Sequence, residues 1–287
     1  MTYFNLIRVS QWIKNFLIFV TPIAIGNLKA IFKIESVLFF VCFSLFVSST
    51  YIINDIKDLT SDKLHPQKKN RPLASGKISI NSAKIIFLIQ FAISLFGIFA
   101  INSFLIVFAL GYLVLTLFYS YKLKYIKYLD IFTISTLFVL RLYIGSYFFD
   151  IPVSLDLFIV ILFLSILLVT SKKYSIRNNP KISSGEVKNF LLKSYTNKKL
   201  LSIYVTSSVL SSFGLLYWIY DNKYQKIFKL DLLNYLFIYL LYIFLIITLY
   251  RLTINKKTED LAVLLFESKI LLSIIFLIVF IYLFQFI

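Results

Sequence analysis

The chain has 287 residues, 60% of them apolar and 18% aromatic, with a mean hydropathy of +0.86 and a formal net charge of +17. Soluble domains carry roughly 45–50% apolar residues, so a bilayer is the natural solvent for this sequence. A single cysteine, Cys42, inside an apolar run excludes both a disulfide framework and a thiolate metal site. The opening "MTYFNLIRVSQWIKN" is interrupted by charge and lacks a small-residue cleavage site, so no cleavable signal peptide is expected.

An apolar run of about 20 residues crosses the ~30 Å hydrocarbon layer as a helix. Nine such runs are read in chain order, at roughly 12–28, 36–56, 79–101, 103–121, 129–149, 154–174, 200–220, 232–252 and 262–285. The expected fold is a single all-α polytopic membrane domain over residues 1–287 with nine transmembrane helices. Only the connections 57–78 and 175–199 are long and polar, and both follow an even-numbered span, so they lie on one side. With the N-terminus on that side, 23 basic residues fall on it, and five fall on the other. Positively charged loops stay in the cytoplasm, which predicts a plasma-membrane protein with its N-terminus inside and its C-terminus outside. The +17 charge is then cytoplasmic bias and attraction to anionic lipid, and nucleic acid is not an expected partner.

The second span runs into "NDIKDLTSDKLHPQKKNRPLASG" at 54–76. If the helix continues through Asp62, then Asp55, Asp58 and Asp62 lie within about 60° of arc on one face. Three carboxylates that close repel one another unless a cation sits among them. Hard oxygen ligands without His or Cys favour Mg²⁺, which usually shares its coordination with substrate phosphates. In the following loop, Pro66 and Pro72 stiffen the backbone, Lys68, Lys69 and Arg71 are anion partners, and His65, the only histidine, reads as structural. Span five places Asp130 and Arg141 eleven residues apart, almost three turns, on one face, with Arg141 deep in the membrane. After span six, "SKKYSIRNNPKISSGEVKNFLLKSYTNKK" is rich in lysine and free of aspartate, so Lys172 and Lys173 are read as partners of anionic substrates.

"RVSQWIKN" at 8–15, the 54–76 stretch, "YSYKLK" at 119–124 and "LDIFTISTLFVLRLYIG" at 129–145 together resemble the UbiA superfamily of intramembrane prenyltransferases, and within it the branch that transfers phosphoribosyl groups. The resemblance implies nine helices around a central cavity, with a cytoplasmic polar cap and a side opening to lipid. It implies that Asn54, Asp55, Asp58 and Asp62 serve Mg²⁺ and a diphosphate, and that Lys14, Arg71, Tyr119, Lys124, Asp130 and Arg141 line the polar pocket. The substrates it implies are 5-phosphoribosyl 1-diphosphate and a polyprenyl phosphate. Two departures stand out. Ile176 occupies a position that is acidic in relatives, and Glu267 replaces an aspartate. The other branch, which moves a prenyl group from prenyl diphosphate to an aromatic acceptor, carries a second aspartate-rich motif after span six, where this chain has none.

Overall fold

The computed structural model describes residues 2–65, 68–180, 186–220, 232–260, 263–265 and 268–284, and no strand occurs among them. Thr2–Ile7 (α1) leads into a long 3₁₀ segment, Val9–Phe19, followed by Val20–Ala24 (α2) and Leu28–Ile31 (α3). Then come Ile34–Lys57 (α4), Leu59–Lys63 (α5), Ile80–Ile101 (α6), Leu105–Tyr121 (α7), Leu129–Phe149 (α8), Leu155–Asn178 (α9), Glu186–Ser194 (α10), Asn197–Tyr220 (α11), Leu232–Ile254 (α12) and Lys269–Phe284 (α13).

The boundaries have local causes. Ser79 caps α6 by accepting from the Ser82 N–H at 3.1 Å, and Ser154 caps α9 by accepting from the Leu157 N–H at 3.4 Å. Helix α8 stops at Asp150, whose left-handed φ of 54° lets its N–H turn back onto the carbonyls of Ser146 and Tyr147. Packing follows from side-chain size: Phe39, Phe43 and Phe46 of α4 meet Ile98 of α6, Ala109 and Tyr112 of α7, and Ile18 of the 3₁₀ segment in one cluster. Outward faces remain apolar. Along α6, Ile85, Leu88, Ile89, Ile93, Phe96 and Phe99 are all exposed, a stripe that only lipid can cover at low cost.

Of the nine expected spans, the all-helical character holds, and the count is not reproduced among the described residues. Among the described residues, six helices are long and apolar enough to cross a membrane, and two apolar helices, Leu105–Tyr121 and Lys269–Leu283, are shorter. The first expected span, 12–28, is broken into 3₁₀ and short α pieces. One contact explains how that irregular segment is held. A Cβ at Gly145 of α8 would meet the Ile18 carbonyl oxygen at 2.0 Å, so two backbones lie directly against each other.

Candidate active site

In a 3₁₀ helix, residues three apart share a face. Val9–Phe19 uses this to sort "QWIKN" into two sets. Trp12 and Asn15 turn toward α4, where the indole N–H donates to Ser48 Oγ at 2.9 Å and the Asn15 amide donates to Ser44 Oγ at 3.0 Å. Gln11 and Lys14 turn toward the opposite side. Gln11 Nε2 donates to both carboxylate oxygens of Asp260 at 3.2 Å, and Lys14, with Leu17, lines an apolar cavity of about 300 Å³ between the 3₁₀ segment, α8, α9 and α13.

The aspartate triplet is arranged differently from the expectation. Helix α4 ends at Lys57, and Asp58, at φ −87° and ψ 9°, separates it from α5. Asp55 and Asp62 converge: Arg71 Nη1 is 3.1 Å from Asp55 Oδ1 and 2.5 Å from Asp62 Oδ2. Both carboxylates are buried. Arg8, in a left-handed conformation at φ 55°, also donates to Asp55, and Lys68 Nζ lies 3.7 Å from Asp62. Asp58 is turned away to Lys124 Nζ at 2.8 Å. Among the described residues no group of three His, Cys, Asp or Glu is assembled as a metal site. The three-carboxylate face read from the sequence is thus corrected to two converging carboxylates with the third diverted by the Asp58 break. Two oxygen donors meeting at one guanidinium nitrogen, with no soft ligand beside them, fit a hard divalent cation.

The other expected residues separate into neighbouring groups. Asn54 Oδ1 accepts from Ser120 Oγ at 2.9 Å, which ties α4 to α7. Tyr119 lies within electrostatic reach of both Asp58 and Asp130. Asp130 is fully buried, 2.6 Å from Lys173 Nζ, and accepts from the Tyr195 hydroxyl at 2.6 Å. Arg141 does not share these partners. Its Nε donates to Asn15 Oδ1 at 2.9 Å, Nη1 to the Leu137 carbonyl at 2.7 Å and Nη2 to the Tyr112 hydroxyl at 2.5 Å. Lys172 and Lys173, about 100° apart on α9, serve different surroundings. Lys173 is locked onto Asp130. Lys172 is exposed on a neighbouring face of α9, within electrostatic reach of Asp260 and of Lys14, Lys68 and Arg71.

Two residues bonded to these groups were not expected. Arg8 heads the "RVSQWIKN" stretch, so the signal was present in its position. Asp260 had no such signal: the acid expected from this region was Glu267, which lies outside the described residues. Asp260 is delivered by the turn after α12, which hydroxyl pairs fasten to α9: Ser171 Oγ to Thr253 Oγ1 and Ser175 Oγ to Thr258 Oγ1, both at 2.6 Å. Burial raises the Asp260 carboxyl, but the nearby Lys172 and Lys14 ammonium groups outweigh it and hold the group below the usual carboxylate range. The adjacent Glu259 points to the cap, 3.0 Å from His65 Nε2, and accepts from the Asn179 amide at 3.1 Å. His65 Nδ1 in turn accepts from the Lys68 N–H at 3.3 Å, consistent with a structural role for this histidine. Ile176 packs in the apolar cluster around Leu191 and Tyr195.

Comparison with known proteins places this arrangement. The UbiA prenyltransferase family matches residues 16–266. The chain belongs to the UbiA prenyltransferase family. It is 28% identical over 225 residues to decaprenyl-phosphate phosphoribosyltransferase of Mycobacterium tuberculosis, covering 75% of this chain and 73% of that protein. It is also 37% identical over 142 residues to the uncharacterized protein y4nM of Sinorhizobium fredii, covering 49% of this chain but only 27% of that longer protein. A UbiA homologue from Archaeoglobus fulgidus, solved with GPP and Mg²⁺, superposes with a TM-score of 0.68 at 20% identity over 100% of this chain and 98% of that one. The protein is a UbiA-family transferase with a multi-pass, all-helical membrane fold.

Proposed function

We propose that this UbiA-family enzyme transfers the 5-phosphoribosyl group of 5-phosphoribosyl 1-diphosphate to a polyprenyl phosphate, releasing diphosphate and supplying a lipid-linked sugar phosphate for cell-envelope glycan synthesis. The observation that carries this reading is that Lys14, Lys68 and Arg71 all lie within electrostatic reach of Lys172, with no second aspartate-rich motif in the sequence after α9. Cations in that number suit a reaction with anionic partners on both sides. The similarity to a decaprenyl-phosphate phosphoribosyltransferase over three-quarters of the chain supports it further.

In this reading Asp55 and Asp62 would hold Mg²⁺, with Asp58 and Asn54 at the same helix end, and the cation, when bound, supplies charge neutralisation to the diphosphate. Arg71, forked between the two carboxylates, and Lys68 beside it hold the diphosphate by charge-assisted hydrogen bonds. Lys14, within electrostatic reach of Lys172, lines the apolar cavity, which takes the head-proximal part of the polyprenyl chain while the rest remains in the bilayer. No general base is required. A phosphate monoester has a second pKa near 6, so the lipid phosphate is already a nucleophile at neutral pH. Its oxygen attacks the anomeric carbon, the bond to diphosphate breaks, and a direct displacement inverts that carbon. Lys124, Tyr119 and the Asp130–Lys173 pair hold α7, α8 and α9 around the pocket, and Arg141 fixes the 3₁₀ segment through Asn15.

The test supplies purified protein and Mg²⁺ with either polyprenyl phosphate plus 5-phosphoribosyl 1-diphosphate, or polyprenyl diphosphate plus 4-hydroxybenzoate. Labelled ribose phosphate in the lipid fraction is expected from the first pair. The fold likeness to a protein that binds GPP makes prenyl transfer the competing reading, and product from the second pair alone would replace the phosphoribosyl reading with it.

A further inference from the structure

Among the described residues, Lys127 and Lys199 pair with no carboxylate, and both meet at one tyrosine. Lys127, just before α8, has its Nζ 5.4 Å from the centre of the Tyr128 ring, and Lys199, in the first turn of α11, has its Nζ 5.2 Å from the same centre. The nearby acids are engaged elsewhere: Asp130 by Lys173 and Tyr195, Asp58 by Lys124, and Glu186 by the Tyr125 hydroxyl at 2.5 Å. Two ammonium groups drawn to one ring repel each other, and the π face offsets only part of that repulsion. An anion between them would offset the rest. The ring is held in place by buried bonds. Tyr128 has a φ of 68°, rare for a bulky side chain, and its N–H donates at 2.7 Å to the buried Tyr195 hydroxyl, which donates in turn to Asp130 at 2.6 Å. A backbone kept in that conformation by its surroundings marks a positioned side chain, and this one is exposed beside both lysines.

Apolar surface continues from this corner along the helices. Helices α8 and α11 both begin here and both pack on α9, and Ile134, Ile166 and Ile203, one from each helix, are only partly buried on the cluster formed by Ile131, Val169 and Leu200. Leu129 and Phe132, in the first turn of α8, are exposed. The two cations thus stand at the polar edge of an apolar strip. We propose that this corner binds an anionic phospholipid of the bilayer: its phosphate bridges Lys127 and Lys199 against the Tyr128 ring, and an acyl chain runs along the strip of Ile134, Ile166 and Ile203. Charge complementarity sets the occupant. A zwitterionic lipid brings a cation of its own to two lysines, and a soluble anion leaves the strip uncovered, whereas an anionic lipid satisfies both. The site is independent of which group the enzyme transfers, because Lys127, Tyr128 and Lys199 take no part in the transfer described above.

The experiment presents delipidated full-length protein in a neutral detergent with equimolar phosphatidylglycerol and phosphatidylcholine of the same acyl chains, and native mass spectrometry counts the lipids retained. The wild type is expected to retain a phosphatidylglycerol, favoured roughly tenfold or more over phosphatidylcholine, the scale set by two lysines acting on one anionic group. Lys127→Gln combined with Lys199→Gln should lose most of that preference, each single change should lose part of it, and Lys199→Arg should keep it. Lys122→Gln combined with Lys198→Gln removes the same charge from exposed lysines close by in sequence and should leave the preference unchanged. All four lysines are exposed, so the substitutions spare the packing. Equal loss in the two double variants would overturn the inference in favour of diffuse surface charge, and a wild type without preference would overturn it outright. Displacement of the retained phosphatidylglycerol by an equal concentration of polyprenyl phosphate would overturn the choice of occupant.

Discussion

At the scale of single residues, Arg71 is the common partner of the two converging carboxylates. Its guanidinium bridges two buried carboxylates, Asp55 and Asp62, and offsets their mutual repulsion. Removing one partner of a buried ion pair costs about 3–5 kcal/mol, and Arg8 and Lys68 remain to offset part of it. Arg71→Ala should therefore melt earlier than the wild type in the absence of metal. Millimolar Mg²⁺ should raise its melting temperature more than that of the wild type, because the cation takes over the freed oxygens. Equal Mg²⁺ shifts in the two proteins would mean that these carboxylates are not a cation site. Glu259 offers a second test, this time by pH. The hydrogen bond from His65 holds its carboxyl below the usual carboxylate range. A depressed carboxylate stabilises the fold above its unfolded pKa, and the stabilisation is lost as pH falls through the folded one. Glu259→Gln should be less stable than the wild type at pH 7 and should lose less on acidification from about pH 5 to pH 3. Thermal unfolding of both proteins across that range checks it, and parallel curves would discount the clasp.

At the scale of elements, the segment that a hydropathy reading treats as a first membrane span is a 3₁₀ helix of 11 residues, far longer than the usual three or four. Its apolar content was legible, but its period was not, because what fixes it is outside it: Ser44 and Ser48 on α4, Asp260 after α12, and the bare backbone at Gly145. The break after Asp58 was hidden for a similar reason. Spacing alone put three aspartates on one face, whereas Lys124 and Arg71, distant in sequence or beyond a loop, draw them to two places. Gly145→Ala tests the close packing directly. Its new Cβ would meet Ile18 Cα at 2.6 Å as well as the carbonyl oxygen, and overpacking of this kind costs roughly 1–3 kcal/mol or more. Gly111, also in a helix, has nothing within 4 Å of an added Cβ and serves as the control. The expected result is a lowered melting temperature and a raised KM in Gly145→Ala, because the shifted segment carries Gln11 and Lys14, with Gly111→Ala near wild type. Unchanged kinetics in a destabilised Gly145→Ala would detach the 3₁₀ segment from substrate binding.

At the scale of the whole molecule, the all-helical membrane fold was readable because hydropathy reports on the solvent, and the solvent here is lipid. The residues of the polar end were readable as motifs, but their pairing was not, since adjacent lysines such as Lys172 and Lys173 take opposite surroundings only once α8 and α11 are in place against α9. Orientation across the bilayer is a property of the same scale. The connections holding the Asp55–Arg71 cluster, Lys122 and Lys193 all lie at one end of the helices, and Ser103 and Asp150 lie at the other, because α6, α7, α8 and α9 alternate in direction. Basic residues concentrate at the first end, and loops rich in Lys and Arg are retained in the cytoplasm. In a Cys42→Ala background, single cysteines at Lys122 and Lys193 should resist an impermeant thiol reagent in intact cells and react after lysis. Cysteines at Ser103 and Asp150 should react from outside. All four positions are exposed, so access across the membrane, and not burial, decides the result. Labelling of the first pair in intact cells would invert the protein and put the Asp55–Arg71 cluster on the outer face, away from any cytoplasmic supply of a phosphorylated sugar.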